Sequence, residues 1–151
     1  DCFHNLGLAY MKSAQLDKAL SSLERAVTLN QAKSEAYLKM ASIYESRKDV
    51  ARAEEMYQKF SAAEPTKAAV SFYNIGVIAW NENRAKDAVQ YYRKAVEIDP
   101  MYAAAHRELA RALMGRQDFQ GALKHFQEYL RLDPRAPDAR EIRDNIALLQ
   151  K

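Results

Sequence analysis

Three histidines, one cysteine and a scatter of carboxylates are the residues of this chain best suited to chemistry. His4, His106 and His125 share no spacing that would bring three or four ligands onto a metal, and Cys2 has no second cysteine to join it. Glu54, Glu55, Glu97 and Asp99 supply acid groups, but a catalytic pair needs a shared pocket and the sequence indicates none. Neither G-x-S-x-G, nor a P-loop, nor G-x-G-x-x-G occurs. The expectation is therefore no catalytic residue, no metal and no cofactor: this is not the sequence of an enzyme.

Binding is the chemistry that remains. Residues 68–81, AAVSFYNIGVIAWN, carry no charge in a chain that is 28% charged. The stretch is too short to span a bilayer, which takes about 20 apolar residues. As a helix it has two stripes. Phe72, Ile75, Gly76 and Ala79 fall on one, and Val70, Tyr73, Asn74, Val77, Trp80 and Asn81 on the other. A helix at the edge of a small domain needs one apolar face. The second is a surplus, and it marks a candidate binding surface.

The chain that must position this surface has 151 residues, enough for one domain that buries roughly two-thirds of its unfolded surface. Four glycines and four prolines are few, which favours long helices over a turn-rich β fold. The net charge of +3 is spread over interleaved acids and bases, so no nucleic acid partner and no anionic membrane surface is expected. There is no transmembrane run or signal peptide, hence no membrane insertion, and the compartment is not legible.

Self-comparison shows a period. Gly7, Ala41, Gly76 and Ala110 form one column, and Ala19, Ala53, Ala88 and Ala122 a second with the same intervals. Phe3, Tyr37, Phe72 and His106 form a third, and Pro65, Pro100 and Pro134 a fourth. The one extra residue falls between Pro65 and Phe72, in a loop. Small residues in the Gly76 column let two helices approach closely, and each proline follows a helix end. First helices are predicted near 1–13, 34–47, 69–82 and 103–115, and second helices near 17–29, 50–63, 85–98 and 118–131.

These columns resemble the tetratricopeptide repeat family over essentially the whole chain. The third repeat matches its pattern as Phe72, Ile75, Gly76, Ala88, Tyr92, Ala95 and Pro100, and the first as Phe3, Leu6, Gly7, Tyr10, Ala19, Leu23 and Ala26. Ala79 and Leu113 replace a usual Tyr, Phe60 and Tyr129 a small residue, and Gln31 a usual Pro. The resemblance implies an all-α, right-handed superhelical solenoid of antiparallel helix pairs forming one domain. Its repeats are 1–33, 34–67, 69–102 and 103–136, and a capping helix follows at 137–151. Pro137 suits that helix's first position, and Ala139, Ile142, Ile146 and Leu149 its apolar stripe. His106, in the aromatic column, reads as a packed core imidazole. Because the chain opens inside a first helix and not on Met, it is expected to be a segment of a longer protein.

In the family, first helices line a concave groove that holds a peptide or a partner's helix. The matching residues are Asn5, Leu8 and Met11, then Leu38, Lys39 and Ser42. Tyr73, Asn74, Val77, Trp80 and Asn81 follow, and then Arg107, Glu108, Arg111 and Met114. Apolar anchors ringed by amides suit a protein or peptide ligand that is apolar with exposed backbone. The Lys–Asn–Asn–Lys–Arg carboxylate clamp of chaperone-binding members is absent, since only Asn74 matches it, in one of two registers. The expected function is a non-catalytic protein-interaction module, an adaptor or scaffold segment. A targeting arm of an enzyme whose catalytic domain lies elsewhere is a second reading. Self-association through an uncapped N-terminal end is a third.

Overall fold

The computed structural model describes residues 2–30 and 33–150, so Gln31 lies outside the described residues. Among these are nine α-helices and no strand. Two compact units divide them, Asp1–Ser71 and Phe72–Lys151.

The first unit holds α1 (Cys2–Lys12), α2 (Leu16–Thr28), α3 (Lys33–Ser46) and α4 (Val50–Ala63), with α1 against α2, α2 against α3 and α3 against α4. A 3-10 turn at Pro65–Lys67 occupies the loop that carries the extra residue. The second unit holds α5 (Ala69–Asn81) from Phe72 onward, then α6 (Ala85–Ile98), α7 (Ala103–Gly115), α8 (Phe119–Leu132) and α9 (Ala139–Leu149). There α6 packs on α7, α7 on α8 and α8 on α9.

The glycine column works as its composition suggests. A Cβ on Gly7 would stand 2.8 Å from the Leu23 side chain, and one on Gly76 would stand 2.6 Å from the Tyr92 ring. Leu23 and Tyr92 are themselves buried, so neither can move aside. In unit 2, Ala79, Ala88, Tyr92, Leu109, Leu113 and Phe126 form one buried cluster, which Ala139 and Ile142 extend onto α9. Pro137 lies in the turn before α9, not in its first position: Asp138 is the N-cap, and the helix proper starts at Ala139.

The turn inside each helix pair repeats without a glycine. Ala14, Lys48, Asn83 and Gln117 take left-handed backbone, with φ of 56, 58, 59 and 63°. The following amide reaches back five residues each time, Gln15 to Tyr10, Asp49 to Tyr44, Arg84 to Ala79 and Asp118 to Leu113, at 2.8–2.9 Å. This closure satisfies carbonyls that a helix end would otherwise leave open. For a residue with a Cβ the left-handed region is unfavourable by about 1–2 kcal/mol. Lys48→Gly is therefore expected to raise the unfolding free energy by about 1 kcal/mol, and Lys48→Val to lower it by a similar amount. Denaturant titration checks both. A Gly variant no more stable than the native chain would contradict this account of the turn.

Candidate functional site

None of the fifteen predicted groove residues is buried. In unit 1, Asn5 and Ser42 are exposed on α1 and α3, while Leu8, Met11, Leu38 and Lys39 are half-buried. In unit 2, Trp80 and Asn81 are exposed at the end of α5. Tyr73, Asn74 and Val77 on α5, and Arg107, Arg111 and Met114 on α7, are half-buried.

The unit 2 face is built outward from the core. Tyr92 is 2% exposed, and Tyr73 leans on its ring at 6.0 Å between centroids. On its other side Tyr73 meets Tyr102, from the turn before α7, at 5.2 Å. Burial pushes the Tyr73 phenol up, as does Glu108, while Arg107 close to the hydroxyl opposes the shift. Val77 and Met114 pack on the same core. Trp80 stays outside the core. It is 40% exposed, and its ring edge reaches α7 beside Gly115, where a Cβ would lie 3.4 Å away.

The two arginines of the face are already engaged. Arg107 Nε donates to Glu108 at 2.8 Å, and its Nη1 lies 3.4 Å from Asp138. Arg111 reaches Glu108 and Asp138, each at 3.4 Å, and Glu141 at 3.8 Å. Tyr129 donates its hydroxyl to the other Asp138 oxygen at 2.6 Å, and Arg107 lies over the Tyr129 ring. Tyr129, a large residue in a column that is usually small, thus reaches α9 from α8. Burial works against the Asp138 charge, but the Tyr129 hydroxyl and the two guanidinium groups hold its carboxyl below the usual range. Burial likewise disfavours the Arg107 charge, but Glu108 and the Tyr129 hydroxyl together outweigh it and raise the guanidinium.

His106 is a packed imidazole, as its column implies, but it has a partner that spacing alone did not suggest. Its Nδ1 stands 2.9 Å from Nδ1 of His125, and its Nε2 stands 3.0 Å from the Pro100 carbonyl oxygen. No group of three or more His, Cys, Asp or Glu able to hold a metal exists among the described residues. Nor is any described helix long and apolar enough to cross a membrane. Tyr102, Tyr129, Asp138 and Glu141 were not among the predicted site residues. Asp138 shows in the sequence only as an acid beside Pro137, with nothing to say that it turns back to α7.

Comparison with known proteins agrees with this architecture. The tetratricopeptide repeat profile matches residues 4–68, 52–103, 73–137 and 107–149. The chain belongs to the tetratricopeptide repeat family. It is 26% identical over 127 residues to the uncharacterized protein ycf37 of Cyanophora paradoxa, covering 82% of this chain and 74% of that one. A crystal structure of the MamA protein superposes with a TM-score of 0.78 at 17% identity, over 98% of this chain and 79% of that one. The TPR2B-domain:pHsp70 complex of yeast Sti1 gives a TM-score of 0.67 at 20% identity, over 80% and 98%. At these identities the likeness is one of fold.

Asp138 is the joint between α9 and the α7 face, so Asp138→Asn should loosen that helix. A charged hydrogen bond contributes about 1.5–3 kcal/mol, which makes a tenfold or greater rise in α9 amide exchange the expected result. Acid should do the same to the native chain. A lowered carboxyl stabilises the fold above its unfolded value of about 3.9, and the contribution is lost as pH falls through the lower folded value. Unchanged exchange in the variant would show that the apolar stripe alone holds α9.

Proposed function

We propose that this chain is a non-catalytic protein-interaction module whose unit 2 face takes a neutral, extended segment of a partner. Tyr73, Val77, Trp80 and Met114 are the anchors of that face, and Asn81 is exposed at its edge as an amide that a ligand backbone can bond. The observation that carries this reading is the state of the cations. Arg107 and Arg111 are paired with Glu108, Asp138 and Glu141 of the same chain, which leaves little positive charge to attract an acidic ligand. Tyr and Trp at a half-exposed, preformed surface are the residue types that dominate binding energy at interfaces. Sti1 TPR2B, similar in fold, is seen in a complex, which supports reading the present fold as a presenter of a ligand surface. The clamp residues are missing here, so a terminal carboxylate is not the expected handle. Asn5, Leu8, Met11, Leu38, Lys39 and Ser42 of unit 1 form a second candidate face by the same reasoning, more polar and with no aromatic ring.

Peptides selected from a random library on the whole chain supply the probe. Trp80→Ala should weaken the selected peptide by about 2 kcal/mol, roughly 30-fold, and leave the melting temperature nearly unchanged, because the ring lies outside the core. Tyr73→Ala should weaken binding too, with some loss of stability, since its ring packs on Tyr92. A binding constant indifferent to Trp80 would sink the assignment of this face.

Salt separates the two kinds of ligand. Affinity should fall by much less than tenfold between low and physiological ionic strength, where the Debye length is about 8–10 Å. A tenfold or greater fall would mean that Arg107 and Arg111 leave their carboxylates to grip an acidic partner.

A further inference from the structure

One pairing of positions recurs in every repeat at the same spacing. The aromatic-column residue of the first helix has a counterpart nineteen positions later on the second: Phe3 and Ser22, Tyr37 and Met56, Phe72 and Tyr91, His106 and His125. Phe72 and Tyr91 stack at 6.4 Å with 16° between rings. Tyr37 and Met56 line one cavity, and Phe3 and Ser22 another. Three of these pairs hold no group that titrates between pH 4 and 8. The fourth consists of two imidazoles at 5.1 Å between centroids, with His106 only 6% exposed.

The protons on this pair are dictated by its partners. The Pro100 carbonyl can only accept, so His106 Nε2 carries a hydrogen and, in the neutral ring, Nδ1 is a bare acceptor. His125 must then donate from its own Nδ1 across 2.9 Å. A first added proton can sit on His125 Nε2 and leave this bond intact. A second would put hydrogens on both facing nitrogens and two positive rings against each other. We propose that the His106–His125 pair is an acid-sensitive latch that holds α7, α8 and the 100–102 turn together at neutral pH and holds them less strongly in mild acid.

The surroundings support this loss of hold. Burial, then His106, Lys124 on α8 and Arg93 on α6 push His125 down to about 4, with Glu128 opposing. Glu128 is itself committed to Arg131 at 2.6 and 2.9 Å. From the turn, the Asp99 carboxylate bonds the Met101 amide, and on the α9 side Asp138 and Glu141 serve Arg107 and Arg111. Glu128, held by Arg131, is the acid that opposes the His125 shift, and it does not outweigh it. A histidine lowered in the fold stabilises it fully above the unfolded value of about 6.5, and that contribution fades as pH falls toward 4. This window lies above that of the Asp138 carboxyl. The latch does not depend on which ligand the face binds.

The chain supplies its own control, because repeat 3 shows what an apolar pair does at this spacing. The test compares the native chain with His106→Phe/His125→Tyr in denaturant titrations at pH 7 and 4.5. The unfolding constant of the native chain should rise about tenfold or more relative to the variant over that range. Equal pH dependence in the two proteins would overturn the proposal. A second measurement needs no variant: the ring-nitrogen NMR spectrum of the native chain above pH 7. There His106 should be the Nε2–H tautomer and His125 the Nδ1–H tautomer, with one ring titrating well below 6. Two histidines titrating independently near 6.5 would overturn it equally.

Discussion

The contact on which unit 2 depends is the Tyr92 ring lying over Gly76. No side chain fits between them, since even a methyl carbon at Gly76 would come within 2.6 Å of the ring. This close approach brings α5 against α6, buries Tyr92 and gives Tyr73 a floor to rest on. Everything offered to solvent on α5 is placed by that seat. Tyr73 is propped between Tyr92 and Tyr102, Val77 and Met114 share the core, and Trp80 leans across to α7 at Gly115. A rigid aromatic surface loses little conformational entropy on binding, which is the physical advantage of building it on packed helices and not on a loop.

Electrostatics then sets the character of the surface. Arg107 and Arg111 look in the sequence like cations awaiting an acidic partner. In the fold α9 packs on α8, and its N-cap acid Asp138 takes both, with Tyr129 holding the second carboxylate oxygen. Partly buried charges are retained when they are paired and hydrogen-bonded, and this cluster meets both conditions. The face is therefore defined as much by what α9 neutralises as by what α5 presents.

The fold was legible in the sequence because its demands recur. Close helix approach requires a small residue at Gly7, Ala41, Gly76 and Ala110, and helix termination admits a proline soon afterwards at 65, 100 and 134. The 3-10 turn at Pro65–Lys67 falls where the period slips by one. Features that do not recur were hidden. The Arg107–Asp138 pairing joins residues 31 apart through a helix that departs from the repeat pattern. The left-handed turn residues Ala14, Lys48 and Gln117 carry no glycine to announce them. The His106–His125 pair was readable in principle, through its nineteen-residue spacing, but only once Phe72 is seen to stack on Tyr91.

The central claim is that the unit 2 face engages a ligand through its rings while its arginines stay with their own carboxylates. Side-chain nitrogen NMR of the whole chain, titrated with a selected peptide, reads both at once. The indole Nε1–H of Trp80 should shift on binding, and the Nε–H signals of Arg107 and Arg111 should hold their positions. Large shifts at the two arginines with an unmoved indole would contradict the account.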